Sequence, residues 1–356
     1  MYDLPATPSI GAHQPSASSH DSLVPDRISV AVDYWVIDET GELADPTLIA
    51  ELPGAVAGTT PHSIAVETPP SESCGELQAH LEGRLQTAVA LAHKAECRLL
   101  PLGLRPDFLA DRPSITGRKE DEDNENDEDE QLTADHPPPS ATASTRVTFE
   151  TDPDVTVDVY NILLALDPAF ALLNTTQWAT TNHQYACGRA ATRNRRVAPY
   201  RTDNDTDLAG GDDTNIETER WQPIRLCEAG RLEWRSLDAT TPTLLVDLIA
   251  DVISILQQAS KCQLSVESFG NGFDVGCLSL PTKTWREIYA EQAAHNGVDS
   301  IVLRAYLERL GIETGWYLAA APTAISPNSA SELAGLYHTR AALLEADVGL
   351  PQPLSG

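Results

Sequence analysis

The chain has 356 residues, with 24 Lys and Arg against 53 Asp and Glu, and a formal net charge of −29 at pH 7. That length is enough for one large domain or two ordinary ones with a sizeable core. A hydrophobic share of 41% and six tryptophans exclude wholesale disorder. The acidic excess argues against nucleic acid and membrane partners, because phosphate groups and anionic lipids bind to basic surfaces.

The cationic residues are strongly biased towards arginine. Four of the 24 are lysines, which leaves 20 arginines. An acidic, lysine-poor composition is typical of salt-adapted proteins, whose charged surface stays soluble while salt screens its self-repulsion. The alternative is that one acidic run supplies the excess. The run Glu120–Glu130 holds nine carboxylates, yet removing them from −29 still leaves −20, so we interpret the composition as salt adaptation.

Signals for export or membrane insertion are not evident in the sequence. The first 22 residues have neither a basic region nor an apolar core, and we expect no apolar stretch of the roughly 18 residues that a bilayer requires. The six cysteines form no CxxC motif, which argues against a disulfide framework or a cysteine zinc site. We therefore expect a soluble, cytoplasmic protein.

The first half of the chain predicts an alternation of strand and helix behind a polar tail. Residues 1–25 are rich in Ser, Pro and His and predict a disordered tail. Ile28–Asp38 is β-branched and aromatic and predicts a strand. Glu76–Glu96 has leucines at helical spacing, and Cys97–Gly103 predicts a short buried strand. Residues 111–144 contain the acidic run and a proline cluster and predict a solvated, disordered insertion.

The second half predicts further strands followed by helices. Ser144–Glu150 predicts a strand and Asp154–Leu173 a helix. Trp221–Leu226 and Arg231–Asp238 predict two more strands, and Pro242 opens a strong helix to about residue 258. Two or three more helices are predicted, at about Thr284–His295, Ser300–Gly311 and Ser329–Glu345. This order predicts an α+β domain built on one sheet.

Common catalytic motifs are absent, which turns attention to charged residues on strands. The sequence has no GxxxxGK[ST], GxGxxG, GxSxG or HExxH motif. Glu233 and Arg235 lie two residues apart on a predicted strand, so both face the same side of the sheet. A carboxylate beside a guanidinium suits a Mg²⁺–nucleotide site. From the spacing alone, an ordinary cross-strand ion pair is the commoner explanation, and both interpretations stay open.

A series of segments, in order along the chain, resembles the glutamate–cysteine ligase type 2 (carboxylate–amine ligase) family. DYWVIDETGEL, starting at Asp33, resembles the opening strand of that family, which has E-x-E, an aromatic pair and D-x-x-G. Glu67–Leu85 resembles the T-x-P segment and the first helix. RVTFE resembles the family's H-x-H strand, and VDVYNILLALDPAFALLNTT resembles the helix that follows it. WQPIRL resembles the R-P strand, and LEWRSLD resembles the E-x-R-x-x-D strand.

The resemblance implies a fold, a reaction and cofactors. The expected fold is α+β and glutamine-synthetase-like, with a curved, mainly antiparallel sheet and helices packed on one side. It would span residues 26–320, interrupted by the acidic insertion, with a C-terminal helix and tail at 321–356. The implied activity is that of a ligase using ATP and Mg²⁺ or Mn²⁺ to phosphorylate glutamate, after which an amine such as cysteine displaces phosphate to form a γ-glutamyl amide. Whether it is a homo-oligomer is left open.

The resemblance also assigns roles to charged residues. It implies metal ligation by Asp33, Glu67, Glu150 and Glu233. It implies catalytic roles for Arg235 and Arg225, and binding of phosphate or substrate by Arg146, Arg189 and Arg193. The four carboxylates would have to lie within about 5 Å of a common point to hold a cation. The arginine-rich segment at 187–196 reads equally well as a solvated helix face.

Three positions depart from the family pattern. Ala31 replaces the first acid of E-x-E, and Arg146 and Thr148 replace both histidines of H-x-H. Fewer oxygen and imidazole ligands remain, and a positive charge stands where a cation should bind. The chain is then either a ligase with an altered site, in which Arg146 binds an anion directly, or a catalytically degenerate member. A degenerate member would bind a nucleotide or amino acid, or pair with an active paralogue.

Overall fold

The structure is a computed structural model that carries side chains. It describes residues 22–50, 55–58, 60, 62–104, 142–173, 178–179, 184–185, 199–201, 222–228, 230–320 and 330–350. The expected N-terminal tail, up to residue 21, lies outside these residues. So does most of the expected acidic insertion, at 105–141, and the arginine-rich segment at 187–196.

Seven strands form the main sheet, in the order β2-β3-β1-β5-β9-β8, with β4 pairing with one end of β1. Every pairing in this sheet is antiparallel. The strands are β1 (Arg27–Asp38), β2 (Ala55–Ala57), β3 (Ser63–Glu67), β4 (Cys97–Leu100), β5 (Ser144–Glu150), β8 (Ile224–Glu228) and β9 (Arg231–Asp238). The short strands β6 (Trp178–Ala179) and β7 (Gln184–Tyr185) form a separate ribbon.

A second, three-stranded sheet was not predicted from the sequence. It consists of β10 (Gln263–Glu267), β11 (Phe269–Asp274) and β12 (Cys277–Pro281), with β12 in the middle and parallel to β10. The first two of these strands are largely exposed, and β11 contains two glycines with positive φ. A sheet with so little buried surface leaves no clear alternation of apolar and polar residues, which is the signal that predicts strands.

The predicted helices are present, and all but one have ends within about two residues of their expected positions; the helix expected at Asp154–Leu173 is α-helical only over Thr156–Leu166. The helices are α1 (Thr47–Ala50), α2 (Cys74–Lys94), α3 (Thr156–Leu166), α4 (Pro242–Ala259), α5 (Lys283–Asn296), α6 (Ile301–Arg309), α7 (Thr314–Ala320) and α8 (Ala330–Asp347). Two 3₁₀ turns, Pro153–Val155 and Asp167–Leu173, extend α3 at both ends. Ser73 caps the start of α2, and its hydroxyl accepts a hydrogen bond from the Glu76 amide at 3.2 Å.

The core lies between one face of the main sheet and the layer formed by α2, α3 and α4. Alternate residues of the central strands are fully buried there, among them Val32, Val147 and Trp234. The indole Nε1 of Trp234 donates a hydrogen bond to Asp167, at the end of α3, at 3.0 Å. The structure therefore has the α+β arrangement of antiparallel sheet and helices that the sequence predicts.

Two helical segments correct the expectation about apolar stretches. Pro153–Leu173 and Pro242–Ala259 are both long and apolar enough to cross a membrane by length and composition. The most apolar windows of these segments are 83% and 50% buried inside the fold. Both segments pack in the core, where helices that are apolar on most sides are expected.

Candidate functional site

The face of the main sheet that points away from α2, α3 and α4, which we call the open face, carries the charged residues singled out in the sequence. Strand alternation places every second residue there, and the register aligns these residues in rows across the strands. The aligned rows are Glu67–Ala31–Arg146, Ser29–Thr148–Glu233–Arg225 and Arg27–Glu150–Arg231. These side chains are half-buried or exposed, in contrast to the fully buried opposite face.

Arg235 lies in the most positive part of the open face. The register between β5 and β9 shifts between Thr145 and Val147, so Arg235 lies next to Arg146 instead of opposite a single partner. Burial lowers the pKa of Arg235; Glu233 opposes that shift, while Arg225 and Arg146 add to it. Its Nε is buried and has no hydrogen-bond partner in the part of the chain that the structure describes. Three guanidinium groups thus lie close enough to interact with one another.

The four candidate metal ligands each have a different environment. Glu67 pairs with Arg146 at 3.8 Å, and Glu150 pairs with Arg27 at 3.9 Å. Both pairs are substantially exposed and contribute little to stability. Asp33 is buried and accepts a hydrogen bond from Ser144 Oγ at 2.9 Å.

Glu233, the fourth candidate, lies beside a cysteine. Burial raises the pKa of the Cys227 thiol. The negative charge of Glu233 and a hydrogen bond between the two side chains raise this pKa further. Cys227 is two residues from Arg225 on β8, and we did not single it out from the sequence. The same two-residue alternation that groups Glu233 with Arg235 could have found it.

The carboxylates of the open face do not converge on a common point. With about 3.4 Å per residue along a strand and about 4.8 Å between strands, the register separates the Cα atoms of Asp33 and Glu233 by about 16 Å. Glu67 is about as far from Glu233, and only Glu150 is a diagonal neighbour, about 8 Å away. Within the described ranges, no group of three or more His, Cys, Asp or Glu side chains could hold a metal ion. Asp33, Glu67 and Glu233 are therefore too far apart to share one cation, and the arginines on the same face disfavour a cation there.

The open face thus brings together Arg146, Arg225, Arg235 and Glu233, and keeps Asp33 and Glu67 apart from Glu233. Arg189 and Arg193, the other two residues expected to bind phosphate, lie outside the described residues. Chemically, this surface offers several N–H donors and a positive potential on a rigid sheet, which are properties that bind an oxyanion.

The comparisons with known proteins are informative about the fold. No protein-family model matches the chain, and no curated protein matches it significantly by sequence. The structure is similar to a bifunctional glutathione synthetase from Pasteurella multocida, with a TM-score of 0.50 and 12% identity over 92% of this chain and 53% of that protein. The chain therefore spans about half the length of that enzyme.

Two further solved structures are similar at a lower level. One is a glutamate–cysteine ligase from Francisella tularensis in complex with AMP, with a TM-score of 0.41 and 10% identity over 94% of this chain and 84% of that one. The other is the ligase PafA in complex with the prokaryotic ubiquitin-like protein Pup, with a TM-score of 0.42 and 10% identity over 92% and 64%. At these identities only the fold is shared, and of these three structures the synthetase is similar enough to support it.

Proposed function

We propose that the open face binds the phosphate or carboxylate groups of ATP or an amino acid such as glutamate, without the divalent-metal centre of a ligase. The observation that carries this proposal is the cluster of Arg146, Arg225 and Arg235 on a face whose carboxylates are too far apart to hold a cation. The fold similarity to a glutathione synthetase supports the choice of ligand. Such a protein would be cytoplasmic and would act as a binding relative of the carboxylate–amine ligases.

The chemistry of the arginines fits this ligand class. A guanidinium is always charged and presents N–H groups in a fixed plane that matches the oxygens of carboxylate and phosphate. Arg146 stands in the sheet where the resemblance would place a metal-binding histidine. An arginine at that position would neutralise phosphate charge directly, which is the role that a cation plays elsewhere.

A second candidate function is the complete ligase reaction with glutamate and an amine such as cysteine. Glu233 and Arg235 on one face, together with the ligase-like fold, favour it. In that reaction the arginines would stabilise the charge that develops on the transferred phosphoryl group, while the strand positions hold them in place. The two candidates differ in whether ATP is turned over.

The first prediction concerns ATP binding. We expect the wild-type protein to bind ATP in concentrated KCl with EDTA present, and Arg235→Met to weaken this binding by about 10- to 100-fold, because a charge-assisted hydrogen bond contributes about 1.5–3 kcal/mol. Isothermal titration calorimetry measures both affinities. The matched control is Arg304→Met on α6, which removes an arginine that is not on the open face.

The same protein samples distinguish the two functions. Phosphate release with Mg²⁺ or Mn²⁺ is followed with glutamate, with and without cysteine. Turnover that requires both amino acids and disappears in Glu233→Ala would establish the ligase and replace our proposal. If ATP and glutamate both fail to bind to the folded wild type, neither function is correct.

A further inference from the structure

A second group of arginines lies behind the main sheet, in the helical layer on the opposite side from the open face. It consists of Arg286 on α5 and Arg201, which follows Tyr200 in the short described segment 199–201. The Arg201 guanidinium lies over the ring of Tyr160 on α3, and the charges of both arginines oppose the effect of burial, which raises the pKa of Tyr160. We call this group the inner arginine pair.

Arg286 is almost completely buried, with 2% of its surface exposed. Its guanidinium carbon lies 4.0 Å from the centre of the Tyr200 ring, so the ring covers one flat face of the guanidinium. Its Nε and Nη1 atoms are buried and have no hydrogen-bond partner among the described residues. Burial lowers the pKa of Arg286, as expected for a cation removed from water.

Arg201 is held in place by an amide side chain on α3. Asn161 Oδ1 accepts a hydrogen bond from the Arg201 amide at 2.9 Å, and Asn161 Nδ2 donates to the Arg201 carbonyl at 3.0 Å. The Arg201 guanidinium carbon lies 4.8 Å from the centre of the Tyr160 ring. The Nη1 atom of Arg201 is likewise buried, and no described residue accepts a hydrogen bond from it. The side chain is therefore attached to a fixed point of the backbone.

The tyrosines satisfy the faces of the two guanidinium groups but leave N–H edges unpaired. The hydroxyl of Tyr200 donates to the Pro281 carbonyl, and that of Tyr306 donates to the Ala165 carbonyl, both at 2.8 Å. These hydroxyls are thus committed to the backbone. Cation–π contact acts through the ring face, whereas a guanidinium donates hydrogen bonds in its own plane.

A nearby carboxylate only partly balances the charge. Asp167 interacts with Arg286, yet it also accepts hydrogen bonds from Trp234 Nε1 and Ser236 Oγ. Among the described residues, one carboxylate against the buried Arg286 and the half-buried Arg201 leaves an excess of positive charge. Such a charge is costly unless it is paired, and buried polar groups in native proteins are almost always hydrogen-bonded.

We infer that the inner arginine pair is a binding site for a small oxyanion, the carboxylate or phosphate group of a small molecule. The anion would accept hydrogen bonds from the unpaired nitrogens of Arg286 and Arg201 and offset their charge. The site is separate from the open face, because Trp234 and Ser236 point from β9 to this side while Glu233 and Arg235 point to the other. It is therefore independent of the function proposed above.

The test uses the full chain and two probes, inorganic phosphate and potassium glutamate, each titrated at constant KCl. Because the function proposed above assigns the same groups to the open face, the probes are titrated into Arg235→Met, and the further substitutions are made in that background. We expect at least one probe to bind to Arg235→Met with one-to-one stoichiometry by calorimetry and to raise its melting temperature. Arg286→Met keeps the volume of the side chain and removes its charge. We expect this variant to bind the probe at least about tenfold more weakly and, without probe, to be more stable than the Arg235→Met parent.

Further variants keep the test decisive. Arg201→Met should also weaken binding of the probe, and it replaces Arg286→Met in the test if that variant fails to fold. Arg304→Met on α6 is the control and should leave binding of the probe unchanged. Arg235→Met should lose ATP at the open face yet retain the probe, which separates this inference from the proposed function. Binding of phosphate alone, or of glutamate alone, identifies the group recognised. If neither probe binds to the protein with Arg286 intact, the inference is wrong. It is also wrong if Arg286→Met binds the probes as tightly as the protein that retains Arg286.

Discussion

Replacing Glu345 by alanine should lower the free energy of unfolding by about 3–5 kcal/mol, the cost of breaking a buried ion pair by removing one partner. The Glu345 side chain is 1% exposed and anchors α8 to the rest of the domain. Its carboxylate accepts hydrogen bonds from Arg98 Nε and Nη2 on β4, at 2.8 and 2.7 Å. His93 Nε2, near the end of α2, lies 3.0 Å from the same carboxylate. Urea denaturation measures the difference.

The control for this prediction is Glu332→Ala, an exposed glutamate on the same helix. We expect it to change the free energy of unfolding by less than about 0.5 kcal/mol. Arg98→Ala should be destabilising like Glu345→Ala, because it leaves the buried carboxylate without its main partner. Equal stability of the wild type and Glu345→Ala would show that α8 does not depend on this anchor.

The same residue predicts a dependence on pH. Burial alone raises the pKa of Glu345, but the hydrogen bonds from Arg98 and His93 outweigh it and hold the pKa below its ordinary value. A depressed pKa in the folded state stabilises the protein above the pKa of the unfolded state, and the gain is lost as pH falls through the folded pKa. The difference in stability between wild type and Glu345→Ala should therefore shrink as the pH falls below about 4.3.

The second large effect is expected at Gly103, just after β4. A methyl group at this position would overlap the carboxylate of Asp238, at the end of β9. The Asp238 side chain is completely buried, and the Gly103 carbonyl accepts a hydrogen bond from the Ala143 amide at 3.0 Å. Neither group can move away freely. Gly103→Ala should lower the free energy of unfolding by about 1–3 kcal/mol, the usual cost of overpacking a close contact.

The matched control makes the same change with the opposite expected sign. Gly83 lies on the exposed side of α2, and a Cβ there would meet no other atom within 4 Å. Gly83→Ala should raise the free energy of unfolding by about 0.5–1 kcal/mol, because alanine favours a helix over glycine. Urea denaturation of both variants at one salt concentration tests the pair. A stabilising Gly103→Ala would show that the contact between these strand ends is looser than the structure has it.

Local signals accounted for most of the fold. Helical spacing of leucines predicted α2 and α4, and alternation predicted β9 with its bounds unchanged, because burial of one face imposes its period directly on the sequence. The second sheet escaped prediction for the opposite reason. It buries too little surface to impose a period on β10 and β11.

The candidate site, like the fold, could be predicted from the sequence only in part. That Glu233 and Arg235 share a face follows from the two-residue period of a single strand, and the structure places both on the open face. Whether Asp33 and Glu67 approach Glu233 depends on strand order and register, which are properties of several strands together. The metal site implied by the family resemblance therefore remains a prediction, and the described residues do not supply its geometry.

The inner arginine pair is where tertiary structure decided most. Arg201 and Arg286 are 85 positions apart, and neither belongs to a motif. The sequence by itself determined their charge and, for Arg286, a place on a helix. Only the packing of α5 and α3 around Tyr160 and Tyr200 buried the Arg286 guanidinium and the Arg201 Nη1 atom and left N–H groups of both without a partner among the described residues. Burial and the lack of a partner arise between distant segments, so no local period in the chain could encode them.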